Sequence, residues 1–309
     1  NVLGRTNRAV GLGDLLGNRF SITIRELSCP DPARSLASVS EEIKRHKGVA
    51  NYFGVQRFGD IRPITHLVGE ALARGKAEEA ARIFLALPYA GEQERTREAR
   101  ERLWESGDIQ AARNDFPGYL HHELAMLNYL AEHPGDYAHS FDVLSVNLKR
   151  LFVHAYQSYL FNRILSLRLA KSMPLDEALV GDVVCFSKGG MPDMDKTQEV
   201  TEDNLEAVAR LVNRGRAFVT LPLIGFESRL AEGRQGEIER QVLQEEDILP
   251  EGFKVVENPD LGSRGTRRTA LCPVDPKIRV EGDSAQLEFI LPKGSYATVV
   301  LREYMKDAS

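Results

Sequence analysis

Apolar and polar residues alternate at both ends of the chain. Phe20, Ile22 and Ile24 interleave with Arg19, Ser21, Thr23 and Arg25, and Leu287, Phe289 and Leu291 recur every second residue. A period of two sorts side chains onto opposite faces, so half-buried strands are expected at 20–25 and 286–291, the first with a polar, partly basic outer face. Between them the period lengthens. Residues 32–46 place Leu36, Val39 and Ile43 on one side of an amphipathic helix. Residues 63–171 are helical in pattern almost throughout, the longest helix covering 146–169. Its Leu148, Leu151, Phe152, Ala155, Tyr159 and Phe161/Asn162 make a broad apolar face. Pro174 ends that helix. Strand-like pieces follow at 182–186 and 217–221, with a helix at 201–212 capped by Thr201 between them and a charged helix at 237–247. Residues 189–196 read as turn chemistry. Near the end, Pro292 and Gly294 form a turn exposing Tyr296, and Val299 and Leu301 enter a last strand or helix. This order of elements predicts an α+β protein.

Length refines that picture. At 309 residues the chain exceeds a comfortable single core, so two domains, or one domain with a large insertion, are expected. No apolar run approaches the ~20 residues that span a bilayer, and no signal peptide opens the chain, which points to the cytoplasm. Cys29, Cys185 and Cys272 are far apart and fall in no metal-binding spacing, as expected of reduced, buried thiols. Asn stands where a start Met would, a hint that something upstream is lost.

The net charge of −5 argues against nucleic acid, but its distribution argues for it. Residues 1–76 carry 12 Lys/Arg against 7 Asp/Glu and residues 264–309 carry 8 against 6, so the ends hold +7 and the middle −12. Basic ends around an acidic centre suit an RNA-facing part with a solvated insertion.

Several chemical candidates fall away. Gly11-x-Gly13-x-x-x-Gly17 is followed by a strand, whereas a phosphate cradle needs a helix N-terminus. His121 and His122 are adjacent and cannot share a helix face as a metal pair would. Asp193 and Asp195 are too few for a calcium loop. Asp14 and Asp60 lie in no catalytic context, and the charged run at 92–105 reads as a solvated helix face.

One stretch stands out. Asn51-Tyr52-Phe53-Gly54-Val55-Gln56-Arg57-Phe58-Gly59 packs two amides, three aromatics, a guanidinium and two glycines into nine residues. A turn with aromatic anchors would use such residues. So would a loop that sets polar groups beside flat rings, the arrangement that holds flipped-out bases. Arg264, Arg267 and Arg268, three arginines within five residues, suit surface solvation or phosphate contact.

Four motifs together give a resemblance: Gly17-Asn18-x-Phe20, the stretch at 51–59, Ala155-Tyr156-Gln157-Ser158-Tyr159-Leu160-Phe161-Asn162, and the run Leu-Pro-Lys-Gly-Ser-Tyr-Ala-Thr-Val-Val-Leu-Arg-Glu at 291–303. In order and spacing the chain resembles the TruD family of tRNA pseudouridine synthases, of archaeal type. The resemblance implies an α+β pseudouridine synthase catalytic domain, with a central antiparallel sheet and helices. That domain, at 1–76 and 264–309, is interrupted by a TruD-specific α/β insertion domain at 77–263. It implies isomerisation of a flipped-out uridine, typically uridine 13 of tRNA, to pseudouridine without cofactor or metal: the glycosidic bond is cleaved and the base reattached through carbon. Asn51 would hydrogen-bond and orient the catalytic carboxylate or the base, Phe53 would stack on or wall the uracil, and Tyr296 would pack against the target base. Gln56, Arg57 and Arg302 match motif positions for loop support or phosphate contact.

The family's catalytic aspartate belongs to a Lys-Asp-x-x-Ala-x-Thr-x-Gln type motif upstream of the first strand, and no such motif occurs in these residues. The nucleophile is therefore expected outside this chain, and the chain alone is expected to be inactive. The alternative is a non-catalytic RNA-binding protein that retains the synthase fold. A helical interaction protein built on 63–171 leaves the motifs at 51–59 and 291–303 unexplained. The partner expected is tRNA, with no membrane and no protein partner.

Overall fold

The computed structural model describes residues 7, 9, 11 and 15–305. The glycine motif at 11–17 lies partly, and Asp14 wholly, outside the described residues. The chain gathers into two compact units. One comprises the described residues up to Tyr52 with Leu169–Thr220 and the residues from Thr269 on; the other comprises Phe53–Arg168 and Leu221–Arg268.

In chain order the elements begin with β1 (Gly17–Ile24), α1 (Pro32–Arg45) and β2 (Gly48–Ala50). The helical block follows as α2 (Thr65–Ala73), α3 (Ala77–Ala86), α4 (Glu94–Ser106), α5 (Ile109–Asp115), α6 (His121–Glu132), α7 (Tyr137–Ser140) and α8 (Val146–Ala170). Then come β3 (Val183–Lys188), β4 (Met191–Glu199), α9 (Leu205–Asn213), β5 (Ala217–Leu223) and α10 (Gly233–Glu245). The chain closes with β6 (Thr266–Thr269), β7 (Leu271–Pro273), β8 (Lys277–Glu281), β9 (Ser284–Pro292) and α11 (Ala297–Met305).

The first unit is built on antiparallel pairing. β1, β9 and β8 lie side by side, with Phe20 opposite Phe289 and Ile22 opposite Leu287. The inner face of this sheet meets Leu36 and Ile43 of α1 and Val300 of α11 in one apolar cluster, as the period-two pattern requires. Pro32 starts α1 at a position where a missing N–H costs nothing, and Asp31 accepts from the N–H of Arg34 at 3.0 Å. β2 pairs with β7, Gly48 opposite Pro273 and Ala50 opposite Leu271.

Several expectations need correction here. Residues 189–196 form more than a turn: Gly189 and Gly190 reverse the chain at φ +59° and +83°, and β4 then returns along β3. The polar sequence of β4 extends because backbone pairing to β3, not a buried face, holds it. Its pairing slips by a bulge between Cys185 and Phe186. Thr201 does not cap α9. The Asn204 side chain accepts from the N–H of Thr201 at 3.0 Å, holding 201–204 as a turn, and the helix starts at Leu205. α10 starts four residues before the expected 237, and the segment after Tyr296 is helical. Cys29 is exposed, because it sits in the turn leading to α1, while Cys185 and Cys272 are buried. Burial pushes the Cys185 thiol up to about 12. An aromatic disulfide reagent is therefore expected to react fast with one of the three thiols in the native protein; fast reaction at two or more would contradict the burial.

The second unit centres on α8, which is buried on nearly every side and not on one broad face. Phe152, Val153, Tyr156, Leu160, Phe161, Ile164 and Leu165 are all covered, whereas Leu151 faces out. Gly69 of α2 lets that helix approach closely: a Cβ there would lie 2.0 Å from the carbonyl oxygen of Phe152. The charged run at 92–105 is only partly a solvated face. Arg100 is buried, bonded to Glu92 at 2.8 Å, Glu123 at 2.7 Å and the carbonyl of Leu85 at 2.6 Å, which satisfies its desolvated charge. His121 and His122 open α6 on its exposed side. Among the described residues no helix is long and apolar enough to cross a membrane.

Candidate active site

Within the first unit, the start of the 51–59 motif and the Gly-Ser-Tyr turn of the last motif meet through one amide. Asn51 is 4% exposed. Its Nδ2 donates to the carbonyl of Thr269 at 3.0 Å and to Thr269 Oγ1 at 2.9 Å, and its backbone N–H donates to the carbonyl of Ala270 at 2.9 Å. The other end of the amide, Oδ1, accepts from Ser295 Oγ at 3.4 Å. Each bond fixes a rotation the side chain would otherwise have, so the carboxamide is locked with its oxygen toward the Ser295–Tyr296 turn. Asn51 directly follows β2, and Ser295 lies three residues after β9. Tyr296 is half-buried, and its carbonyl accepts from Val299 at 3.2 Å at the start of α11. Arg302 is exposed in the last turn of that helix.

Within the second unit, the rest of the 51–59 motif rests on α8. The side chain of Asn162 grips the backbone of Phe53 at both ends: Oδ1 accepts from the Phe53 N–H at 2.9 Å and Nδ2 donates to its carbonyl at 3.1 Å. Arg57, in a 3-10 turn over Val55–Arg57, donates from Nε to Ser158 Oγ at 3.0 Å. Gln56 is exposed on the same turn. The Phe53 ring meets Phe161 edge to face at 5.5 Å, and the Arg268 guanidinium lies 4.2 Å from its centroid. Asn162 and Ser158 both come from the 155–162 motif, so its polar residues are the supports of the loop while its aromatics are mostly core. His154, one turn before Ser158, is held below its ordinary pKa by burial and then by the Arg57 and Arg150 charges.

The three neighbouring arginines part company. Arg264 is exposed, with a loose 3.7 Å pairing to Glu227. Arg267 turns inward, within 3.7 Å of the fully buried Glu239 and donating to the carbonyl of Arg229 at 3.3 Å. Arg268 covers Phe53. Thr269 and Ser295, which position Asn51, were not singled out in the sequence. Ser295 sat inside a recognised motif, but Thr269 lies 218 residues from Asn51 with no motif around it. Among the described residues no group of three or more His, Cys, Asp or Glu could hold a metal ion.

Comparison with known proteins shows the family. The model for tRNA pseudouridine synthase D (TruD) matches residues 1–304. A protein of Methanococcoides burtonii named "Probable tRNA pseudouridine synthase D" is 46% identical over 315 residues, covering 99% of this chain and 72% of that protein. One of the same name from Natronomonas pharaonis is 47% identical, covering 98% of this chain and 70% of its own length. A crystal structure described as "Putative tRNA pseudouridine synthase D (TruD)" from Methanosarcina mazei superposes with a TM-score of 0.93 at 46% identity, over 99% of this chain and 72% of the other.

Proposed function

The chain belongs to the tRNA pseudouridine synthase D (TruD) family and is an isomerase acting on tRNA; from that premise we propose that it converts uridine 13, flipped out of the stack, to pseudouridine in the cytoplasm. The observation that carries the site assignment is the Asn51 carboxamide, clamped by Thr269 and aimed at the Ser295–Tyr296 turn. With both Nδ2 hydrogens directed at Thr269, the amide presents an acceptor oxygen, so it orients a carboxylate indirectly, by holding the Ser295–Tyr296 turn in place.

In the proposed mechanism a nucleophilic aspartate, supplied by residues upstream of Asn1, is oriented by Asn51. The aspartate carboxylate bonds to C1′ of the ribose as the N1–C1′ bond breaks, and the bonding pair leaves with the uracil on N1. The uracil turns, with Phe53 assigned to wall it and Tyr296 to pack against it. C5 bonds to C1′ and displaces the carboxylate, C5 gives up its proton and N1 takes one up from solvent. Arg57 and Gln56 support the loop, with Arg57 anchored on Ser158. Arg264 and Arg302, both exposed, are assigned to phosphate contact. Arg268 serves the same purpose beside Phe53, and Arg267 holds the arginine segment in place through Glu239. The same reading assigns 1–76 and 264–309 to the catalytic domain and 77–263 to the insertion.

A position test decides the finer claim. A polypeptide that includes the upstream segment is expected to place one pseudouridine at position 13 of a tRNA transcript and none in a transcript with cytidine there. Residues 1–309 alone are expected to bind either transcript and modify neither. Modification at another uridine would overturn the assignment of position 13, and modification by residues 1–309 alone would overturn the upstream nucleophile.

A further inference from the structure

The first unit carries, apart from the Asn51 clamp, an open groove of about 470 Å³ that the proposed mechanism does not use. Arg19, Lys44, Lys47 and Lys277 line it, against Asp275 and Glu288. Two of the cations stand on the outer face of the β1-β9-β8 sheet, the face turned away from the apolar core. Arg19 is opposite Ile290, and Lys277 opposite Glu288 on the next strand pair. Ile290 itself is 43% exposed, so the face is open.

The cations are only weakly satisfied. Lys44 lies 3.8 Å from Asp275 with both side chains about two-thirds exposed, a geometry worth little in water. Lys47 donates to the neutral amide oxygen of Asn213 at 3.2 Å. Arg19 and Lys277 have no ion pair among the described residues. A groove with four cations, two carboxylates and an exposed floor attracts a polyanion and leaves room for its phosphates.

The groove also stands in a defined place. It opens where Lys47 and Pro273 begin the β2–β7 pair, and Asn51 with Ala270 lies at the other end of the same ribbon. Four residues at ~3.3 Å each separate them, roughly 13 Å. That matches about four nucleotides of a stacked strand at ~3.4 Å rise.

We propose that this groove is a second tRNA-contact surface, holding backbone phosphates a few nucleotides from the uridine presented to Asn51. The inference rests on the function proposed above and adds the part of the substrate the groove reads, which is charge and spacing and not sequence.

The test is tRNA affinity against salt. In the intact polypeptide, the double variant Arg19→Gln/Lys277→Gln removes two charges but keeps polar side chains on an exposed face, and should melt with the wild type. Its log Kd against log KCl is expected to be shallower by about 1.4 to 1.8, at ~0.7 to 0.9 for each phosphate that is no longer neutralised. The single-turnover rate at saturating tRNA is expected to be unchanged. The reversal Arg19→Glu/Lys277→Glu should weaken binding further at low salt and converge with the wild type at high salt. A wild-type slope in both variants overturns the groove while leaving the synthase reading intact, and so does a loss of rate with the slope preserved. A wild-type protein that binds no tRNA overturns both.

Discussion

Replacing Asn51 by alanine is expected to lower the rate of pseudouridine formation at saturating tRNA by about a hundredfold or more, while tRNA affinity stays within about twofold. Asn51 is buried, so it offers little surface for binding RNA, and its value lies in where it points. Its two donated bonds to Thr269 fix the amide plane, and its oxygen reaches toward Ser295. Alanine keeps the backbone bond to Ala270 and removes all of the side-chain bonds. A misplacement of about 1 Å in a group that orients a nucleophile is enough for a loss of that size. The carbonyl of Thr269 would also lose a buried partner, costing about 1–3 kcal/mol of stability, so the comparison belongs well below the melting temperature. Asn51→Asp preserves shape but cannot donate to that carbonyl, and the same direction of effect is expected. Equal loss of rate and affinity would remove the positioning role.

The second large effect is on stability. Gly69→Val is expected to destabilise the protein by about 3 kcal/mol or more, at the upper end of overpacking costs. The added Cβ would meet the Phe152 carbonyl oxygen at 2.0 Å, its carbon at 2.6 Å and the Cβ of Tyr156 at 3.1 Å. These are backbone and rigid side-chain atoms, so no rotamer change relieves the clash, and α2 and α8 must separate. Thermal unfolding should fall by roughly 6–12 °C, at ~2–4 °C for each kcal/mol. Because α8 also carries Ser158 and Asn162, which hold Arg57 and Phe53, activity measured below the new melting point should fall as well. A melting temperature equal to the wild type would contradict the close helix approach.

The elements that were legible in the sequence are those whose signal is local. The alternation at 20–24 and 287–291 gave two strands, and the same alternation dictates that Phe20 and Phe289 share a face, where they meet at 5.6 Å. The amphipathic spacing of Leu36, Val39 and Ile43 gave the helix over 32–46, and α1 spans Pro32–Arg45. The polar strand β4 had no such signal, because its conformation is imposed by β3. The one-sided reading of α8 failed for a similar reason. A helix covered on nearly every side needs no single stripe, and polar residues such as Gln157 and Arg168 are buried among its apolar ones. Both find partners far away in sequence, Gln157 at Ser263 and Arg168 at Gln235.

The candidate site divides in the same way. The motifs named Asn51, Phe53 and Tyr296 directly, yet Thr269, which holds Asn51, was invisible, because a hydrogen bond across 218 residues leaves no trace in spacing. The arginines show what a strand does to a cluster. Read as three like charges, Arg264, Arg267 and Arg268 form one basic patch. On β6, however, successive side chains point to opposite faces, so Arg267 goes to Glu239 and Arg268 to Phe53.

The central claim is that this protein makes pseudouridine in tRNA, and the most direct measurement follows the hydrogen that the chemistry must release. In a tRNA transcript labelled with tritium at C5 of uridine, forming the C5–C1′ bond expels that label to water. A polypeptide that supplies the aspartate proposed to lie upstream is expected to release the label of one uridine per tRNA and then stop. Saturable tRNA binding with release no higher than in a protein-free control would contradict the account and make the protein an RNA-binding member of the fold.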